Sequence, residues 1–146
     1  MTELMEKPAT RQQEAFDQWL EALRSGEYER GGGYLRRKYP DGNVRYCCIG
    51  VLDEAVFNTT WEFDDLYGGY RDEDGFVFNL ASNSHKIQQI GLDTMVTEEE
   101  AQIFKDYDPF ISVNDSRLAA LAQLNDVGVD FDTIAMLIET LDWRNK

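Results

Sequence analysis

Five of the chain's 11 glycines fall between Gly26 and Gly42, and that cluster limits what the chain can build more than any other feature. A glycine inside a helix costs about 1 kcal/mol relative to alanine. A span carrying Gly31, Gly32 and Gly33, followed by Pro40-Asp41-Gly42-Asn43, therefore reads as short extended pieces around a tight turn over 27–46. Before it, Ala15, Phe16, Trp19, Leu20 and Leu23 recur at helical spacing, which predicts a helix over Thr10–Arg24 with Gly26 as its left-handed stop.

After the cluster the pattern changes several times. Val51, Leu52, Ala55 and Val56 form one stripe of a buried helix over Cys47–Phe57, with Asn58 as its stop. Trp61–Phe63 and Phe76–Asn79 read as strands flanking an acidic, glycine-bearing loop. Thr97 and Glu100 have capping-box spacing ahead of Ile103, Phe104 and Tyr107. Asn114 or Asp115 is expected to cap a helix bearing Leu118, Leu121, Ala122 and Leu124 that stops near Gly128, and Asp130 to cap the last helix, bearing Phe131, Ile134, Ala135, Ile138 and Leu141. The expected fold is a single α+β domain over 1–146, a small antiparallel sheet packed with about five helices and ending in a helical hairpin, with 1–9 as a flexible tail.

Composition sets outer bounds. At 42% apolar and 12% aromatic residues over 146 positions, there is enough to fill one core without a cofactor. No run reaches the roughly 18 apolar residues of a spanning helix, and Met1–Gln13 has no signal-peptide core, so no membrane association and a cytoplasmic location are expected. The two cysteines, Cys47 and Cys48, are neighbours, which disfavours a bridge between them. The net charge of −14 repels nucleic-acid phosphate over most of the surface, so direct nucleic-acid binding is not expected.

That charge is unevenly spread. Residues 1–45 carry eight Lys or Arg and eight Asp or Glu, whereas 46–146 carry six against twenty. The cationic stretch is Arg24 to Arg45, with Arg30, Arg36, Arg37 and Lys38 between. Guanidinium forks match phosphate or carboxylate oxygens in pairs, glycine N–H groups can approach an anion, and tyrosines offer stacking faces. The candidate ligand-binding residues are therefore Arg24, Tyr28, Arg30, Gly32, Arg36, Arg45 and Tyr46. Asn125 and Asp126 join them either as polar readers of a ligand edge or, locally, as braces of the turn toward Gly128. The opposing reading is a solvated hairpin whose arginines pair with the protein's own carboxylates.

Other motifs fail on spacing. The glycines precede neither Gly-Lys-Ser/Thr nor a helix, so they match no phosphate loop or dinucleotide fingerprint. Setting Gly75 at the sixth position of a calcium loop puts Tyr70 and Ala81 where carboxylates are needed. Cys47, Cys48 and His85 supply too few ligands for structural zinc, and the sole histidine sits in a polar Ser82–Lys86 turn. No catalytic residue, metal or cofactor is assigned. The terminal hairpin resembles a helix-turn-helix, but from Asn125 to Trp143 it carries no Lys or Arg, so core packing explains it. Its amphipathic face is compatible with a homodimer as well as with burial.

Four segments together resemble a group of small uncharacterised proteins encoded by bacteriophages, prophages and some bacteria. They are Ala22-Leu23-Arg24-Ser25-Gly26-Glu27-Tyr28, Gly33-Tyr34-Leu35-Arg36, Tyr46-Cys47-Cys48-Ile49-Gly50-Val51-Leu52, and Leu124-Asn125-Asp126-Val127-Gly128 running on through Phe131 and Ile134-Ala135. The resemblance implies a setting in the bacterial host cytoplasm and an accessory role, such as countering host defence, and supplies no mechanism. The leading expectation is a non-enzymatic phage-type protein that binds a small anionic, nucleotide-like ligand. The alternatives are an acidic inhibitor that imitates nucleic acid and binds a host protein, and an enzyme acting on a phosphorylated or glycosylated compound.

Overall fold

In a computed structural model that describes residues 8–78 and 85–146, the first stripe forms α1 (Arg11–Arg24). Thr10 starts it: its hydroxyl accepts from the Gln13 N–H, and the Gln13 side chain accepts from the Thr10 N–H. This reciprocal cap satisfies two of the donors that a helix start leaves open. The apolar stripe puts Phe16 and Trp19 wholly out of solvent, against α2 (Cys48–Ala55) and α6 (Phe131–Thr140). Gly26 follows at φ +77°, the left-handed stop that the sequence marks. Of the expected 1–9 tail, residues 1–7 lie outside the described residues.

The glycine-rich span forms β1 (Glu29–Arg30), β2 (Arg36–Lys38) and β3 (Val44–Tyr46). The Pro40–Asn43 turn closes the β2–β3 hairpin, with the Tyr39 N–H donating to Asn43 O and the Gly42 N–H to Tyr39 O, both at 2.9 Å. Strand order is β1-β3-β2, and β1 runs parallel to β3. Beside the expected antiparallel pairing of β2 with β3 the sheet thus carries one parallel edge, because two chain reversals separate β1 from β3 and leave them pointing the same way.

A second hairpin pairs β4 (Glu62–Phe63) with β5 (Tyr70–Arg71). Its partner was expected at Phe76–Asn79. Instead, the Asp64 carboxylate accepts the Leu66 and Tyr67 N–H groups and turns the chain back early, which brings Tyr70 and Arg71 onto β4. Phe78 makes a single bridge to Tyr34, and Asn79 lies outside the described residues. Another bridge, Arg37 to Gly69, joins the two sheets.

The helices enclose the core. α2 (Cys48–Ala55) runs into the middle of the molecule, α3 (His85–Gln89) takes His85 and Lys86 from the expected polar turn, whose other residues lie outside the described ones, and α4 (Glu98–Phe104) begins with the Thr97–Glu100 capping box. α5 (Arg117–Asp126) is capped by Ser116 rather than Asn114 or Asp115. The Asp115 carboxylate instead accepts from the Ser112 N–H at 3.0 Å, closing the preceding turn. α6 (Phe131–Thr140) is capped by Asp130, and a 3₁₀ turn at Trp143–Asn145 follows. Among the described residues the chain is an α+β fold of six α-helices and two small sheets. Trp19, Trp143, Phe16 and Phe104 are the largest side chains fully buried.

Candidate functional site

Side chains alternate across a strand, and this divides the arginines between two faces. In the β2–β3 ladder, Arg36 lies opposite Tyr46 and Arg37 opposite Arg45. Tyr46 is buried and Val44 packs on the core, so the Arg36 face is the inner one. There the Arg36 guanidinium sits 4.2 Å from the Tyr70 ring centre, 5.7 Å from Trp61 and 5.8 Å from Tyr46. Tyr28 adds a fourth ring, edge-on to Tyr46 at 5.2 Å. Such contacts between a cation and ring faces are worth about 0.5–2 kcal/mol each, more as water is excluded.

Arg36 has no carboxylate partner among the described residues, and its Nε–H is buried without an acceptor. The acid of this cluster is Glu54, on the last turn of α2, whose Oε2 accepts the Trp61 indole N–H at 2.6 Å. Burial, then the Glu54 charge, raises the Tyr28 pKa; for Tyr46 burial again leads, Arg36 works against it, and Glu54 adds to it. Both phenols therefore stay protonated donors at neutral pH.

The outer face is organised differently. Arg37 stacks between Tyr34 at 4.6 Å and Tyr39 at 5.3 Å, and Arg45 lies 4.2 Å from Tyr39. Arg45 is tied to Glu29 at 2.9 Å and Asp41 at 2.7 Å. Gly69 lets the Tyr34 ring come close to the backbone, since a Cβ there would stand 2.6 Å from that ring.

The other nominated residues do other work. Arg24, at the end of α1, pairs with Glu139 of α6 at 3.2 Å, away from the sheet. Arg30 donates to the Asn125 carbonyl at 2.8 Å, satisfying the end of α5. Asn125 is fully buried: its Nδ2 donates to Gly31 O at 2.7 Å and its Oδ1 accepts the Cys48 N–H at 3.2 Å. The Asp126 carboxylate accepts the Gly33 N–H at 2.9 Å and lies beside Gly32. The local brace expected of Asn125 is thus a long-range link between glycine loop, α2 and α5. Of the nine residues, Tyr28, Arg36 and Tyr46 share the inner-face cluster; Arg30, Gly32, Asn125 and Asp126 share the loop knot; Arg24 and Arg45 stand apart.

The sequence reading missed Glu54, Trp61 and Tyr70. One signal was available for Glu54, an acid beside Asp53 in an otherwise apolar helical run. Tyr70 and Trp61 reach Arg36 only through the β4–β5 hairpin and its bridge to β2, a pairing that no local pattern announces.

Cys47 and Cys48 are packing groups at the start of α2. The Cys47 sulfur accepts the Gly50 N–H at 3.2 Å as the helix cap, and the Cys48 thiol donates to Leu121 O at 3.6 Å. Burial pushes the Cys47 pKa up to about 12 and that of Cys48 well above its usual range, so neither offers a thiolate nucleophile. Among the described residues no three His, Cys, Asp or Glu side chains are placed to hold a metal ion, and no helix is long and apolar enough to cross a membrane. A cleft of about 370 Å³ opens between α1, the end of α2 and α3, over Ala15, Val56, Phe57 and Ile90. None of the nominated residues lines it.

The family model described as Domain of unknown function (DUF8296) matches residues 11–142. No curated protein and no solved structure matches the chain significantly.

Proposed function

We propose, for a chain that belongs to the DUF8296 family, that it is a non-enzymatic binding protein for a small anionic ligand carrying a planar ring, nucleotide-like in chemistry, held at Arg36. One observation carries this reading: Arg36 stands among Tyr46, Trp61 and Tyr70 with no carboxylate partner among the described residues and a buried, unsatisfied Nε–H. A buried donor without an acceptor costs roughly 1–3 kcal/mol, which an anionic oxygen would recover. The surrounding rings supply stacking faces, and the Tyr28 and Tyr46 hydroxyls supply neutral donors.

The wider role is an accessory one, in which a phage-type protein removes a host signal molecule by binding it. The sequence resemblance to phage and prophage proteins supports that setting. Simple sequestration leaves the ligand chemically unchanged.

Calorimetric titration against a panel of nucleoside mono- and diphosphates tests the reading. At least one is expected to bind, to lose about tenfold or more in affinity in Arg36→Ala, which is about 1.4 kcal/mol, and to be recovered unaltered. Arg24→Ala, which removes only the pair with Glu139, should bind like the parent. Absence of binding across the panel, or equal binding by Arg36→Ala, would overturn the proposal, and product formation would replace it with an enzymatic one.

A further inference from the structure

The Arg36 cluster contains an acid as well as a base, and their placement selects among ring-bearing anions. Glu54 leaves α2 beside Trp61, whose indole N–H reaches Oε2 at 2.6 Å. The same Trp61 ring faces the Arg36 guanidinium at 5.7 Å. One aromatic side chain therefore has the carboxylate at its edge and the guanidinium over its face. Among the described residues no other donor reaches the Glu54 side chain, so Oε1 and the second lone pair of Oε2 are left for a pair of incoming N–H groups. Glu54 is half-buried, which keeps it reachable while weakening the competition from water.

An ionised carboxylate only accepts hydrogen bonds. It therefore favours a ring edge that presents adjacent donors and disfavours one that presents ring nitrogen or carbonyl lone pairs. Guanine offers a ring N1–H next to an exocyclic N2 amine, two donors in the spacing of two carboxylate oxygens. Adenine offers one amine beside the N1 lone pair. Cytosine offers an amine beside N3, and uracil a single N–H between two carbonyls, so each sets a lone pair against the acid. Hypoxanthine keeps N1–H and lacks the amine, which makes it the natural intermediate.

We infer that Glu54 is a specificity-determining residue of this site, accepting the paired N–H donors of a guanine-type base while Arg36 takes the ligand's phosphate. The assignment rests on the binding function proposed for Arg36 and adds to it the identity of the ring. It also gives a role to the short Glu54–Trp61 contact: the indole fixes one carboxylate oxygen and so aims the other.

Titrations with GMP, IMP and AMP, followed by calorimetry and by Trp61 fluorescence, test the assignment. GMP is expected to bind about tenfold or more tightly than AMP, with IMP between them, since each lost or opposed polar contact is worth roughly a factor of ten. Glu54→Gln retains an acceptor for the Trp61 indole and so keeps the fold. In that variant the GMP preference should fall to about twofold or less with AMP affinity retained. Arg36→Ala should weaken all three together. Equal binding of GMP and AMP by the parent protein, or an undiminished preference in Glu54→Gln, overturns the role of Glu54 and leaves Arg36 binding intact. Failure of all three to bind rejects Glu54 as a reader of guanine, and the wider panel then decides the fate of the Arg36 site separately.

Discussion

Asp53 and Glu54 are sequence neighbours with opposite surroundings. Glu54 faces the aromatic cluster, whereas Asp53 is 3% exposed. Its pKa is raised to about 7, first by burial and then by the charges of Asp72, Glu73 and Asp74. Lys86 works the other way, with its Nζ 3.9 Å from Asp53, 3.4 Å from Glu73 and 2.9 Å from the Thr59 hydroxyl. In the unfolded chain an aspartate titrates near pH 3.9, so the folded state holds this proton more tightly. Stability from that proton is complete below about pH 4 and is lost as pH rises through about 7, a span worth up to roughly 4 kcal/mol. Asp53→Asn should accordingly gain on the parent protein as pH goes from 4 to 8, judged by urea midpoints at both. A difference that stays constant across that range would count against the buried carboxyl as its source.

At the scale of elements, the run Tyr46–Leu52 shows why a short helix can be fixed so firmly. Cys47 caps α2, Cys48 ties it to α5 through Leu121 O, and the Trp19 indole of α1 donates to Cys48 O at 2.9 Å. Gly50 is the closest approach, because a Cβ there would stand 1.7 Å from Leu35 O, on the loop that leads into β2. In an ordinary helix interior, glycine to alanine stabilises by up to about 1 kcal/mol. Here the sign should reverse: Gly50→Ala is expected to lose about 3 kcal/mol or more by overpacking against backbone, seen as a large fall in melting temperature or as insoluble protein. A neutral or stabilising substitution would mean that α2 does not press on the Leu35 backbone. The same contact positions Arg36, the next residue along, against the aromatic cluster.

For the whole molecule, the net charge of −14 is a cost of compaction. Several cations are committed internally, including Arg24, Arg45, Arg71 and Arg144, each paired with a carboxylate, and the remaining acids repel one another. Salt screens that repulsion over roughly 10 Å at 0.1 M, and exposed pairs contribute little on their own. The melting temperature should therefore rise between 0.02 and 0.3 M sodium chloride by a few degrees, on the order of 1 kcal/mol for a chain of this size. A fall with added salt would show that the ion pairs outweigh the repulsion.

Helix spacing, capping pairs and the glycine-proline punctuation are local, and for that reason α1, α4, α6 and the β2–β3 turn could be read directly: hydrogen-bonding groups a few residues apart settle each one. The same reading nominated Tyr28, Arg36 and Tyr46 only within a larger cationic set, and it is the folded sheet, through strand alternation, that separates these three onto one face. Distant pairings were decided elsewhere. Which strand joins β4, why Asn125 bridges Gly31 and Cys48, and how Glu54, Trp61 and Tyr70 come to surround one guanidinium all depend on contacts between segments far apart in the chain. Residue types set which partners each group can accept, and only close packing of the whole fold selects the one it meets.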